Sequence, residues 1–157
     1  MAELAPITLV PITAENWDAA LALRVQEDRQ SWVASIQPVA LILLAKCAVN
    51  PDGQEWHPLL LIADGEPVGI VGVGVNGDVA WVHHVLIDER FQGRGHGRAL
   101  MKLVAAWVPP TVTRLGLNVV RENATAWALY ESLGFVPVGV TIDEQVITMA
   151  YLSEVAA

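Results

Sequence analysis

The sequence predicts an α/β (α+β) domain in which helices flank a mixed, mostly antiparallel sheet, and three observations carry that prediction. The chain has a helical look before Asn50 and a β period after His57. Turn signals join successive strand-like runs directly, which gives antiparallel neighbours. Two helix-spaced segments then bracket one further strand, Thr113 to Val120.

Taken in order, Ile7 to Ile12 reads as a short strand, and Thr13 with Glu15 and Asp18 opens a helix carrying Leu21, Ala22 and Val25 at helical spacing. A second helix is expected over Val39 to Val49, after Pro38. The stretch NPDGQEWH, Asn50 to His57, reads as a surface loop. Leu59 to Ala63, Val68 to Val75 and Val79 to Ile87 form a three-strand meander, with Asn76-Gly77 as a hairpin signal. The next helix places Leu100, Leu103, Val104 and Trp107 on one stripe and stops at Pro109-Pro110. A helix from Asn123 to Leu133 is capped by Asn123 and ended by Gly134. Phe135 to Tyr151 is a final hairpin turning at Asp143-Glu144. The order is β-α-α-β-β-β-α-β-α-β-β.

At 157 residues the chain reads as a single domain, residues 1–157, a length that buries roughly 70 % of the unfolded surface. A net charge of −8 argues against nucleic acid as a partner, because such partners need a basic face. The acid excess suits a cationic or neutral substrate, or solubility alone. Cys47 is the one cysteine, which excludes an internal disulfide and a cysteine-rich metal site and points to a cytoplasmic setting. MAELAPITLV lacks a basic stretch followed by a long apolar one, and no apolar run reaches the length of a span. A soluble, unexported protein with no membrane partner and no metal is expected.

Two glycine motifs compete for a phosphate-binding role. Gly72-Val73-Gly74-Val75-Asn76-Gly77 fits G-x-G-x-x-G, but a strand follows it where that motif needs a helix. It reads as strand glycines ending in a hairpin. FQGRGHGRAL, Phe91 to Leu100, follows the strand WVHHVLI and opens an amphipathic helix. Free amides and the positive end of the helix dipole then converge on one spot, an anion site, with Arg94 and Arg98 able to add charge at the rim.

Gln92-x-x-Gly95-x-Gly97 after a strand and before a helix resembles the pyrophosphate-binding motif of the GNAT superfamily, the acetyl-CoA-dependent N-acetyltransferases. The element order resembles that fold, and Asn123, Tyr130 and Gly134-Phe135 resemble its second signature. The likeness covers nearly the whole chain. LRVQEDRQSWVAS, WVHHVLIDERFQGRGHG and LYESLGF look most similar to bacterial diamine and polyamine acetyltransferases, although the stretch from Ser35 to Ala45 is almost uncharged.

The resemblance implies acetyl-CoA as cofactor, its pyrophosphate on the amides of Gln92, Gly93, Arg94, Gly95, His96, Gly97 and Arg98. It implies a pantetheine arm paired with Val85, Leu86 and Ile87, and flanked by Asn123 and Ala126. Tyr130 is implied as the acid that protonates the leaving thiolate; without the resemblance, its stripe with Ala126, Leu129 and Leu133 reads as core. The acceptor ammonium must lose a proton, since an alkylamine has a pKa of about 10.4. His83 and His84, adjacent on a strand, should face opposite ways, so only one can serve; His83 is the candidate base, and His84 is assigned to the acceptor side. Glu27 and Asp28, late in the first helix, and Trp32, just after, are the other acceptor-site candidates. The reaction expected is direct transfer to a primary amine by a homodimer with exposed strand edges. A non-catalytic acyl-CoA-binding module and an acetyltransferase of protein amines stay open beside it.

Overall fold

The computed structural model describes residues 6–34, 37–140 and 145–152. Its elements are β1 (Thr8–Pro11), α1 (Trp17–Leu21), α2 (Val39–Val49), β2 (Glu55–Ala63), β3 (Glu66–Asn76), β4 (Val79–Ile87), α3 (His96–Trp107), β5 (Arg114–Val120), α4 (Ala124–Ser132), β6 (Val136–Val140) and β7 (Val146–Leu152). Two 3-10 turns, Glu27–Trp32 and Glu89–Phe91, are added to the expected order. The seven strands form one sheet in the order β1-β2-β3-β4-β5-β7-β6. Every pairing is antiparallel except β4 with β5, which is parallel.

Alternation along the central strands sends side chains into two cores, one on each face of the sheet. Leu59, Leu61, Val71 and Val73 pack with Leu100, Met101 and Val104 of α3 and with Tyr130 of α4. Leu60 and Ile70 pack with Leu43 of α2, Ala20 of α1 and Leu23. The α3 stripe is therefore legible as a one-sided helix. In α2, Leu43 is wholly buried while Leu41 and Val49 stay exposed.

Three expectations need correction. The first helix ends at Leu21, and Val25 lies beyond it. The chain there takes long-range partners in place of helical ones: the Arg24 amide donates to Asp88, the Glu89 amide donates to the Arg24 carbonyl, and the Gln37 side-chain amide bonds both backbone groups of Val25. Glu27 and Asp28 accordingly open a separate 3-10 turn. The supposed loop at Asn50 to His57 is strand from Glu55 onward, where Glu55, Trp56 and His57 pair with Val75, Gly74 and Val73. The expected turn at Asp143-Glu144 lies outside the described residues.

The glycine look-alike is strand, as its context requires. Gly72 and Gly74 sit in the β3 ladder opposite His83 and Trp81, and Gly77 turns the hairpin at φ +62°. Gly72 also makes room for a Leu43 methyl, so it serves helix-on-sheet packing.

Candidate active site

The site is made where β4 and β5 part. Their ladder joins residues 79–82 to 114–117 and goes no further. Beyond that point β4 stays with β3, and β5 stays with β7 as far as Val120. Two facing strand edges are left without a strand partner, and a cavity of about 540 Å³ occupies the gap. Val85, Leu86 and Ile87 line one wall, Leu117 to Val120 the other.

At the end of β4 the chain enters the glycine loop. Gly93 and Gly95 stand at φ +77° and +82°, left-handed conformations that a side chain resists. Gly95 is the N-cap residue of α3, so the amides of His96, Gly97 and Arg98 start the helix without an intrahelical acceptor. Gln92, Gly93, Gly95 and all three of those residues line the cavity. Gly97 brings this first turn close to α4, since a Cβ there would stand 3.3 Å from a Leu129 methyl.

Side-chain hydrogen bonds around the loop hold it in place. Gln92 donates to the Ile87 carbonyl at 3.0 Å and accepts from Gln26 at 3.1 Å. Arg98 donates to Ser132 Oγ at 2.8 Å. Arg94 does not line the cavity: its guanidinium lies over the Phe91 ring, 5.6 Å from the centroid. The expected charge at the rim therefore comes from Arg98 and from Arg29, which lines the cavity and was not among the residues singled out from the sequence.

Asp88 was also not foreseen. It is 1 % exposed, and its carboxylate accepts from the amides of Arg24 and Arg90 and from Arg90 Nε. Burial pushes its pKa up, but the Arg90 side chain and the two amides outweigh that and leave it below the ordinary carboxylate range. It ties the loop after α1 to the end of β4, so the cavity's two sides share one anchor. The available signal was an acid directly after a strand with an arginine two residues on.

The two histidines are arranged differently from a regular strand. In the β3–β4 ladder Ile70 pairs with Leu86 and Gly72 with His83, so His84 and Val85 together oppose Val71. This is a bulge, and His84 occupies it at φ +54°. His83 packs on the Trp56 ring at 4.6 Å and does not line the cavity; His84 does. Burial, then Lys46 and His84, push the His83 pKa down to about 4.

Tyr130 is 6 % exposed, lines the cavity, and packs its ring 5.9 Å from that of Phe135. Burial pushes its pKa up to about 12, which keeps the phenol protonated at neutral pH. Asn123 caps α4 by accepting from the Ala126 amide at 3.2 Å, and both residues line the cavity. Trp32 lines it from the 3-10 turn, whereas Glu27 and Asp28 are exposed and do not. No carboxylate lines the cavity among the described residues.

A splayed parallel pair beside a glycine loop at a helix mouth is the arrangement against which comparison with known proteins is decisive. The profile of the Acetyltransferase (GNAT) family matches residues 17–135. The chain belongs to the GNAT family. It is an acetyl-CoA-dependent N-acetyltransferase. Spermine/spermidine N(1)-acetyltransferase of Bacillus subtilis is 29 % identical over 143 residues, covering 82 % of this chain and 87 % of that protein. [Ribosomal protein bS18]-alanine N-acetyltransferase of Salmonella typhimurium is 38 % identical over 84 residues, 53 % of this chain and 57 % of that protein. Spermidine N-acetyltransferase of Vibrio cholerae, solved with CoA and spermine, has the same fold, with a TM-score of 0.74 at 20 % identity over 94 % of this chain and 95 % of that one.

The GNAT cavity fits acetyl-CoA on its own features. Consecutive amides at a left-handed glycine turn suit the pyrophosphate, and the strand gap suits an amide-bearing arm. Among the described residues no helix is long and apolar enough to cross a membrane, and no group of three His, Cys, Asp or Glu is placed to hold a metal.

Proposed function

We propose that this GNAT enzyme acetylates the primary amine of a small molecule by direct transfer, with no acetylated form of the protein. The observation that carries the proposal is that Tyr130, the glycine loop and the parted strand edges line one cavity. The amides of Gln92 to Arg98 hold the pyrophosphate, and Val85, Leu86 and Ile87 hold the pantetheine arm. Acetyl-CoA supplies an activated thioester. A backbone N–H on β4 polarises its carbonyl. The amine nitrogen forms the new C–N bond as the C–S bond breaks, and Tyr130 gives its proton to the departing sulfur. An exposed thiol has a pKa of about 8.5 and a phenol about 10. Desolvation raises both, so the buried phenol stays a competent donor to a thiolate in the same cavity.

A polyamine or diamine acceptor is supported by the Bacillus subtilis relative, whose alignment covers most of both chains. The ribosomal-protein relatives favour a second reading, a protein or peptide amine, over about half of this chain. Thiol release from acetyl-CoA should be measured with polyamines, amino acids, aminoglycosides and peptides. Release with at least one small amine, a polyamine first among them, is expected; activity confined to peptides would contradict the small-molecule reading.

A homodimer is part of the proposal. β6 is an edge strand whose Val136, Val138 and Val140 are 55 %, 52 % and 57 % exposed, an apolar edge that pairing would cover. Light scattering should give twice the chain mass, and Val138→Lys should halve it; a monomeric wild type refutes the dimer.

A further inference from the structure

We propose that His84 Nε2 is the general base that removes a proton from the acceptor ammonium. The inference rests on the direct-transfer reading above and names the proton acceptor that this reading requires. Four observations carry it. The bulge in β4 turns His84 into the cavity, whereas a regular strand would alternate it with His83. Its φ of +54° is a conformation that a non-glycine residue adopts at a cost, and such outliers gather at functional positions. Its Nδ1 stands 2.8 Å from the Val33 carbonyl, which can only accept, so Nδ1 carries the hydrogen and Nε2 keeps its lone pair. That Nε2 is buried and has no hydrogen-bond partner among the described residues. His84 lines the cavity, and an acceptor buried there without a donor is a group that an incoming ammonium would satisfy.

His83 cannot take this role from where it lies, against Trp56 and outside the cavity. Among the described residues, charged and titratable neighbours of His84 are few. Lys46 of α2 lies on one side, His83 stands 6.2 Å away on β4, and Arg29 and Tyr130 line the same cavity. Burial pushes the His84 pKa down, the Val33 carbonyl pushes it back up, and Lys46 lowers it. The ring is therefore neutral at neutral pH and ready to accept. The carbonyl that fixes the tautomer also stabilises the imidazolium that forms.

The proton count closes. The ammonium loses one proton to Nε2, which becomes N–H and later releases it to water. The neutral amine attacks the thioester carbonyl carbon. A second nitrogen proton is lost as the amide forms and replaces the one Tyr130 gives to sulfur. The sum is ammonium plus acetyl-CoA giving amide, free thiol and one proton.

The test uses His84→Asn, because asparagine tolerates a left-handed backbone better than most residues. With the amine best used by the wild type, kcat is expected to fall about 10²- to 10³-fold, the scale of a lost general base. Acetyl-CoA affinity should be retained. The fall of kcat at acid pH in the wild type should disappear in this variant and persist in His83→Asn. An unchanged kcat, or an acid limb retained in His84→Asn, would overturn the proposal. Nitrogen NMR of the histidine-labelled wild type gives a second readout that needs no turnover. An Nδ1–H tautomer at His84 is expected at neutral pH, and an Nε2–H tautomer overturns the assignment even if the variant misfolds. Failure of every amine to release thiol in the wild type would instead sink the transfer reading, with the tautomer still judging His84.

Discussion

Gly95→Val is expected to remove acetyl-CoA binding, by about 100-fold or more, while the protein stays folded. A 100-fold loss corresponds to about 2.7 kcal/mol. At φ +82° a left-handed backbone costs an L-residue roughly 1–2 kcal/mol, and more when the side chain is β-branched. The loop would relieve that strain by leaving the conformation, which turns the first amides of α3 away from the cavity. Among the described residues nothing lies within 4 Å of a Cβ at this position, so the substitution causes no clash there that would unfold the domain. Calorimetric titration with CoA measures the loss, and an unchanged melting transition shows the fold intact. Undiminished affinity would mean that the anion sits elsewhere.

Tyr130→Phe is expected to lower kcat about 10²- to 10³-fold with acetyl-CoA affinity unchanged. The ring packs against Phe135 in the α4-side core, and phenylalanine keeps that contact. Stability should therefore hold while the proton donor is lost. A variant that turns over every active acceptor at the wild-type rate would show that the hydroxyl does no chemistry.

Much of the fold was legible because local pattern and tertiary demand agree there. The stripe Leu100, Leu103, Val104 and Trp107 predicts α3, and the sheet supplies the core it needs. The Asn76-Gly77 turn predicts the β3–β4 hairpin, and Gly77 takes the positive φ that the turn requires. The glycine loop was legible from context: a strand before it, a helix after it, and a better-known pattern nearby that failed the same test.

What was not legible depends on residues far apart in sequence. The first helix stops at Leu21 because Asp88, sixty-four positions after Arg24, accepts the Arg24 amide. The bulge at His84 arises from the ladder register against Val71, which no local period encodes. It puts His84, not His83, against the cavity, since alternation applies only to a regular strand. Arg94 looked like a phosphate ligand by spacing, yet the Phe91 ring three residues back holds its guanidinium. Arg29 was passed over beside the acids Glu27 and Asp28, because which face of a 3-10 turn meets a cavity is decided by packing.

In the proposed reaction one cavity moves the acetyl group straight from sulfur to an amine. Mass spectrometry of both protein and amine after mixing with acetyl-CoA tests it most directly. An unmodified protein is expected before the amine is added, then thiol release matched one for one by acetylated amine. An acetyl group found on the protein before the amine arrives, or thiol release with no acetylated amine, would contradict it.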